Sequence, residues 1–193
     1  MASTSHSHSP TDDALVARVR EGEERAFRQI VERYEGAVAS TVVGMLGRGA
    51  EADDVGQEVF IRLYENLHQF RGEASLKTYL TRIAINQSLK ALRRQKRWWH
   101  RFTSRDDPTQ AVREPPVNEE SVVEERDRAG LVHAALQHLS ADHRAVVVLR
   151  LLDGYSTAET AEILDIPEGT VMSRLYRATN RLEELLAPVL QED

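Results

Sequence analysis

The sequence predicts an all-α protein with two small helical domains joined by a flexible acidic linker. Apolar residues recur at intervals of three to four through most of the chain, and no segment shows the alternation typical of a β-strand. One segment between the helical parts lacks this periodicity, contains Pro108, Pro115 and Pro116, and is densely acidic. The predicted boundaries are a disordered tail over 1–11, a first domain over 12–100, the linker over 101–125 and a second domain over 126–189.

The composition is that of a globular protein, with 41% hydrophobic and 29% charged residues among 193. There are no cysteines, which excludes disulfides and thiolate metal sites and makes a reducing cytoplasm the expected compartment. No signal peptide and no run of 18 apolar residues is found, so neither secretion nor membrane insertion is expected. His6 and His8 in the tail are interpreted as incidental, and we expect no metal and no cofactor.

The net charge of −6 conceals a segregation of charge along the chain. Residues 77–105 hold nine Lys or Arg and no Asp or Glu, whereas residues 106–125 hold seven acids and one base, Arg113. A local basic face binds phosphates whatever the overall charge. The first of these segments is therefore a candidate nucleic-acid surface.

Two helices are predicted before residue 50. Asp12 or Asp13 can cap the first. The second is predicted over 23–46, where apolar residues at spacings of three and four form a buried stripe, and the glycines at 47 and 49 end it.

The third predicted helix, over 51–67, carries acids on its outer side. Val55, Val59 and Leu63 repeat every four residues and form its inner face. Asp54, Gln57, Glu58 and Ile61 share another side. Acids near the N-terminus also complement the helix dipole.

A loop over 69–75 precedes a fourth predicted helix over 76–97, which is apolar on one side and basic on the other. Tyr79, Trp98 and Trp99 lie within or beside the basic run. Cations next to exposed rings are the combination that single-stranded nucleic acids use, with phosphates on the cations and bases on the rings. The alternative is that Tyr79 belongs to the core and the tryptophans cover a helix end, and both interpretations stay open here.

The second domain is predicted to begin with a helix over 126–139, with Leu131 among its inner positions. Ser140 caps a further helix that continues through Leu151 to Gly154. No internal repeat is found in the chain.

Residues 154–186 form the most specific motif. Ser156 and Glu159 have the spacing of a capping box, and Pro167 ends the helix that they begin. A second helix starts near Thr170 with a regular apolar stripe, and Arg174, Arg177 and Arg181 lie together on a neighbouring face.

This arrangement is a helix-turn-helix, whose second helix enters the DNA major groove. Asp165 stands at the position in the turn that usually requires glycine, and aspartate tolerates a positive φ there. The alternative is an ordinary helical hairpin with a solvated arginine face.

The whole order of features resembles the extracytoplasmic-function (ECF) group of bacterial sigma factors, from about Asp13 to Leu186. Four segments in the right order carry the resemblance: EADDVGQEVF at 51–60, FRGEAS at 70–75, YLTRIAIN at 79–86 and IPEGTVMSRLYRA at 166–178. The resemblance implies a promoter-specificity subunit with no catalytic activity of its own. It binds core RNA polymerase through the clamp helices of the largest subunit and the flap of the second-largest, and it binds promoter DNA.

The resemblance also implies three sets of site residues. The residues expected to bind core polymerase are Asp53, Asp54, Gln57, Glu58 and Ile61. The residues expected to capture and open the −10 element are Phe70, Arg71, Gly72, Glu73, Ala74, Ser75, Lys77, Tyr79, Arg82, Asn86, Lys90, Arg93, Arg94 and Arg97. The residues expected at the −35 element are Glu168, Thr170, Met172, Ser173, Arg174, Arg177 and Arg181.

Within the last set, Ser173, Arg174 and Arg177 are expected toward bases and Arg181 toward phosphate. The linker is similar to the family segment that threads toward the polymerase active centre. Members of the family are often held by an anti-sigma factor, which is the remaining implied partner.

The chain departs from the family pattern at several positions. Met172, Thr179 and Asn180 stand where basic residues are common, which puts the upstream contacts in question. Thr160 replaces an aliphatic residue and Asp165 a glycine, so we expect a looser turn. Gly56 inside the acidic helix costs about 1 kcal/mol relative to alanine.

Two other functions fit parts of the sequence. In the first, Asp53, Asp54 and Glu58 would hold Mg²⁺ in an all-helical phosphohydrolase, but no second acidic helix completes the coordination shell. In the second, the chain would be a stand-alone helix-turn-helix regulator of duplex DNA, which leaves the acidic helix and the acidic linker unexplained.

Overall fold

The computed structural model describes residues 10–103 and 128–190, with the backbone alone for residues 99–103, 128–129 and 188–190. Every regular element in these ranges is helical, as predicted. The first domain comprises α1 (Asp12–Arg20), α2 (Glu24–Leu46), α3 (Ala50–Asn66) and α4 (Leu76–Thr103), with a 3₁₀ turn (Leu67–Gln69) before α4. The second comprises α5 (Arg128–Gln137), α6 (Ala141–Val147), a π turn (Val148–Leu152), α7 (Thr157–Leu164) and α8 (Glu168–Leu190).

In the first domain, α2, α3 and α4 pack against one another, and α1 lies across α2. The predicted inner face of α3 is confirmed, since Val55, Val59 and Leu63 are all buried. Thr11, rather than Asp12 or Asp13, caps α1, because its hydroxyl oxygen accepts from the Ala14 amide. The carboxylate of Asp12 is instead occupied by the side chains of Arg33 and Tyr34 on α2.

The fourth helix is longer than predicted and reaches Thr103. The prediction stopped at Arg97, the last residue of the basic side, but no glycine or proline occurs before Pro108 to break the helix. The first three residues of the predicted linker, 101–103, therefore belong to α4. The predictions for residues 1–9 of the tail and for residues 104–125 of the linker lie outside the described residues.

The second domain packs α5, α6 and α7 against α8. Ser140 caps α6 as predicted, its oxygen accepting from the His143 amide. The prediction that Leu131 is an inner position is wrong, because it is 36% exposed while Leu136 is fully buried. Leu151, through which the second predicted helix continues, is 55% exposed. Leu151 lies in the π turn, whose wider hydrogen-bond pattern shifts side chains away from the 3.6-residue repeat.

The helix-turn-helix motif forms with the predicted local chemistry. The Ser156 hydroxyl and the Glu159 carboxylate make both bonds of the capping box at the start of α7. Asp165 adopts the left-handed conformation at φ 54° and ψ 50°. The next helix begins at Glu168, two residues earlier than predicted, because the Pro167 carbonyl already accepts from the amides of Thr170 and Val171.

The two domains pack against each other, and the contact surface is called the domain interface below. Met45 and Ile85 of the first domain share an apolar cluster with five buried residues of the second. These are Ala145, Val148, Leu149, Tyr155 and Ile163.

Arg144 on α6 is the central polar residue of the domain interface. It is 6% exposed and donates to the carbonyls of Met45 at 2.5 Å, Gln137 at 2.7 Å and Leu139 at 3.0 Å. Burial lowers the pKa of Arg144 to about 10. One guanidinium therefore joins the end of α2 to the α5–α6 turn.

Thr160 gives a test of the helix-turn-helix packing. Its side chain is fully buried, and its hydroxyl has no hydrogen-bond partner among the described residues. A buried hydroxyl without a partner is costly, so we expect Thr160→Val to raise the free energy of unfolding by roughly 1 kcal/mol in urea denaturation. Thr179→Val is the matched control, because the Thr179 hydroxyl donates to the Leu175 carbonyl at 3.1 Å and nothing is gained by removing it. A loss of stability in Thr160→Val would contradict this account.

Candidate nucleic-acid interface

The basic side of α4 is exposed along most of its length. The exposed polar and basic side chains that were predicted for this surface are Arg82, Asn86, Lys90, Arg93, Arg94 and Arg97. Arg94 also pairs with Glu51 on α3, with 3.1 Å between Nη2 and Oε1. These side chains give the first domain a continuous cationic strip suited to a phosphate backbone.

The loop that precedes α4 is supported from beneath by two aromatic rings. Phe70 was predicted to contact DNA, but it is only 8% exposed and belongs to the core. Its ring lies 5.2 Å from that of Tyr79, also partly buried, and its carbonyl accepts from Arg20 at the end of α1. Tyr79 thus packs against the core of the first domain, and both rings support the loop from beneath.

The rest of this loop is accessible. Arg71, Gly72 and Glu73 are exposed, and Gly72 has a φ of +74°, which favours glycine. The Ser75 hydroxyl accepts from the Thr78 amide at 3.0 Å and so begins α4. The loop thus presents backbone and short side chains at the N-terminal end of the basic strip.

Trp98 lies at the other end of the strip and is 52% exposed. About half of its surface is therefore accessible. The side chain of Trp99 lies outside those described.

The outer face of α3 combines acids with two exposed apolar residues. Asp53, Asp54 and Gln57 are exposed, as predicted, and Glu58 pairs with Arg62 at 2.8 Å. Ile61 is 52% exposed and Tyr64 57%. Tyr64 was missed by the sequence analysis, although its spacing of i+7 from Gln57 and i+3 from Ile61 places it on the same face.

Two cations of the predicted −10 surface contact the second domain. The Lys77 ammonium lies 5.4 Å from the centre of the Tyr155 ring. Arg82 donates to the Glu162 carbonyl of α7 at 2.5 Å. Sequence analysis assigned both residues to DNA, and nothing in their local pattern indicated a partner within the chain.

The exposed face of α8 differs from the predicted row of three arginines. Arg174 is ion-paired with Asp142 of α6 at 3.3 Å and its side chain is 27% exposed. Arg181 pairs with Glu184 at 2.8 Å. The three arginines therefore do not form one row of unpaired cations on the exposed face of α8.

Other residues of α8 are more accessible. Ser173 and Arg177 are exposed, Met172 is 55% exposed and Tyr176 68%. Tyr176 was not among the predicted site residues, although it lies one helical turn after Met172. Apolar side chains on a recognition helix suit contact with the methyl group of thymine.

Comparison with known protein families identifies the family of the protein that carries these surfaces. Residues 30–98 match the model of sigma-70 region 2, and residues 129–182 match that of sigma-70 region 4. The chain is an ECF sigma factor of the sigma-70 family. It directs RNA polymerase to promoters and is not an enzyme. The family decides against the phosphohydrolase and the stand-alone regulator.

Similar sigma factors cover nearly the whole chain. The sigma-E factor of Haemophilus influenzae is 35% identical over 190 residues, which span 93% of this chain and 97% of that protein. The sigma-E factor of Escherichia coli is 35% identical over 189 residues, with 94% and 97% covered. The sigma-H factor of Pseudomonas aeruginosa is 33% identical over 187 residues, with 94% and 96% covered.

Two solved sigma factors are similar in structure, and each was solved with an anti-sigma partner or a fragment of a second protein. The sigma factor RpoE of Bartonella quintana, in complex with the anti-sigma factor NepR, has a TM-score of 0.66 at 25% identity and covers 83% of this chain and 96% of that one. CnrH, in complex with the cytosolic domain of CnrY, has a TM-score of 0.67 at 25% identity and covers 92% and 97%.

No helix in ranges 10–103 and 128–190 has the length and apolar character needed to cross a membrane. In the same part of the chain, no group of three or more His, Asp or Glu side chains could hold a metal ion.

Proposed function

We propose that this sigma factor binds core polymerase through the outer face of α3, captures the −10 element with the loop at 70–75 and the basic side of α4, and reads the −35 element with α8. The observation that carries the proposal is the composition of the α3 face. Exposed apolar residues ringed by polar ones mark protein–protein contact sites. Ile61 and Tyr64 have that setting beside Asp54 and Gln57.

The −10 part of the proposal rests on the charge and the accessibility of α4. An unstacked base of the melted strand needs a pocket and nearby cations to offset the few kcal/mol that extruding it costs. The exposed loop at 71–73 and the following cations are the groups available for this. Phe70 and Tyr79 act by holding the loop in place.

The −35 part rests on α8. Ser173 and Arg177 are exposed near the N-terminal half of this helix, where a recognition helix meets base edges. Arg174 can contact a base only after its ion pair with Asp142 breaks. Met172 and Tyr176 add apolar contact, and Arg181 lies farther along the helix on the phosphate side.

The proposal also includes a cellular compartment, the cytoplasm, and a regulatory partner, an anti-sigma factor. A chain without cysteines that works on RNA polymerase acts in the bacterial cytoplasm. An anti-sigma factor as a partner is supported by the two similar structures, which hold NepR and CnrY.

Ile61→Asp tests the α3 surface. An added charge at the centre of an apolar contact should weaken binding to purified core RNA polymerase by about 2 kcal/mol, roughly thirtyfold in Kd. The affinity is measured without DNA, by fluorescence anisotropy of the labelled sigma factor. Met172→Asp is the matched control, because Met172 is as exposed as Ile61, at 55% against 52%, but lies on α8. Equal losses in the two variants would contradict the assignment of α3.

Arg177→Ala and Arg181→Ala test the roles along α8. A side chain that reads a base should lose about 1–3 kcal/mol at one base pair, whereas a phosphate contact is lost equally on all sequences. We expect the first pattern for Arg177 and the second for Arg181. The measurement is holoenzyme binding to single-base variants of the −35 element of a promoter located by transcript mapping. A uniform loss for Arg177→Ala would remove it from the base-reading face.

A further inference from the structure

The C-terminal part of α4 projects from the first domain. Up to Leu92, every turn of α4 buries at least one side chain, the last of them Ser88 and Ala91. From Arg93 to Trp98 all side chains are exposed, and the backbone continues as a helix to Thr103. At 1.5 Å per residue, this segment extends roughly 16 Å past the packed part of the helix. Residues 93–103 are called the arm below.

The arm carries closely spaced positive charges and contains no acid. Arg93, Lys96 and Arg97 have the i, i+3, i+4 spacing that places side chains on one face of a helix. Arg94 pairs with Glu51 of α3 at 3.1 Å, and its side chain is still 72% exposed. Within the part of the chain that the structure describes, no ion pair engages the other three cations. Their charges are therefore available to a partner.

The charge pattern of the arm is unfavourable for a helix in water. Helical segments shorter than about 12 residues are marginal without packing. Like charges four residues apart, as at Arg93 and Arg97, destabilise a helix further. A bound polyanion would remove this repulsion, because its charges compensate those of the side chains. The pattern thus fits a helix whose partner is a polyanion.

Continuity with the proposed −10 surface favours DNA as that polyanion. The cations of the arm continue the exposed polar row of Arg82, Asn86 and Lys90 along the same helix. An anionic lipid surface also attracts cations, but a helix that lies in a membrane interface buries a wide apolar face. Among residues 93–98, Trp98 is the one apolar side chain. Charge without an apolar face suits a phosphate backbone better.

The length of α4 indicates which part of the promoter the arm meets. Arg93 lies 18 residues, and Thr103 28 residues, after Ser75 at the end of the loop proposed to capture a base. These separations are roughly 27 and 42 Å along a helix at 1.5 Å per residue. At ~3.4 Å per base pair they correspond to roughly 8 and 12 base pairs. The arm therefore lies about one turn of DNA away from the captured base.

The order of the chain places the arm on the upstream side. Residues 104–127 follow the arm and lead to the domain whose α8 is proposed to read the −35 element. Because the −35 element is upstream of the −10 element, the chain runs upstream as it leaves α4. The DNA in that direction is the spacer between the two elements. It lies outside the element that is proposed to open, so the arm meets paired DNA there.

We propose that the arm binds the phosphates of the duplex spacer between the −10 and −35 elements, independently of base sequence. This inference rests on the proposed function of α4 and divides the basic side of that helix into two parts. Lys90 and the polar residues before it face the unpaired strand, whereas Arg93, Lys96 and Arg97 hold paired DNA. Phosphate contacts of this kind set the register in which the loop at 70–75 meets the −10 strand.

Arg93→Gln with Lys96→Gln and Arg97→Gln tests the arm by removing three charges at exposed positions. Holoenzyme affinity is measured on two templates that carry the −10 element of a promoter located by transcript mapping, and neither carries a −35 element. The short template ends beside the −10 element, and the long one keeps about 12 base pairs of upstream duplex. We expect the added duplex to tighten binding of the natural chain roughly tenfold in Kd, and binding of the triple variant less than about twofold.

Salt dependence and spacer sequence show whether phosphates are the ligand. Each phosphate contact contributes about 0.9 to the slope of log affinity against log salt concentration. On the long template the slope should therefore fall by roughly 2–3 in the triple variant, and on the short template it should not change. Replacing the spacer sequence should leave the affinity unchanged. A gain that depends on one spacer sequence would overturn the proposal.

Arg25→Gln with Arg28→Gln and Arg48→Gln is the matched control. These three arginines are exposed on α2 and in the turn that follows it, so the same charge is removed from the same domain. The control should keep the full gain from the added duplex. Equal losses in the two triple variants would assign the gain to overall charge and would overturn the role of the arm.

The two templates also separate this inference from the proposed −10 function. Binding to the short template with no gain on the long one would overturn the arm and leave the −10 proposal standing. No binding to the short template, with a gain on the long one that the triple variant lacks, would contradict the −10 proposal and support the arm. Sedimentation with phosphatidylglycerol vesicles that the triple substitution abolishes, with no effect on the long template, would assign the arm to a lipid surface and overturn the proposal.

Discussion

The contact between Gly44 and Val148 is the constraint on which the arrangement of this sigma factor depends. Because residue 44 has no side chain, the π turn of the second domain lies directly on α2. That approach brings Met45 and Ile85 into one apolar cluster with Leu149 and Tyr155. It also places Arg144 where its guanidinium reaches the Met45 carbonyl near the end of α2. A larger residue at 44 would disturb all of these contacts together.

The three proposed functional surfaces differ in their position relative to the domain interface. The start of α4 lies within the domain interface, whereas Ile61 and Tyr64 of α3 and Met172 and Tyr176 of α8 are each more than half exposed. We propose core polymerase as the partner of α3, duplex DNA as the partner of α8 and an unpaired strand as the partner of the start of α4. The start of α4 also contacts the second domain, through Lys77 and Arg82.

Local chemistry explains what could be predicted from the sequence. The capping box of Ser156 and Glu159, the left-handed Asp165 and the acids on α3 depend on residues a few positions apart, and all three predictions are confirmed. The order of motifs also identified the family, because four short segments in sequence are far more specific than one.

The remaining features of the fold and of the site depend on contacts between distant residues, which the spacing of residues in the sequence does not reveal. Phe70 is buried because Tyr79 and Arg20 meet it in the fold, and Arg174 is held by Asp142 from another helix. Ile85 and Leu89 have the periodicity of a core helix, and the sequence could not show that the core they enter is partly that of the second domain. Arg82 has the pattern of a DNA-binding cation and is engaged within the chain.

The distance between the domains in solution tests this account most directly. Ser40 on α2 and His133 on α5 line one groove, and Ser40 and Ala134, the residue next to His133, are both exposed. Ser40→Cys with Ala134→Cys can therefore carry two spin labels. Pulsed electron paramagnetic resonance should give one short, narrow distance distribution for the sigma factor alone. A long or broad distribution would contradict the account.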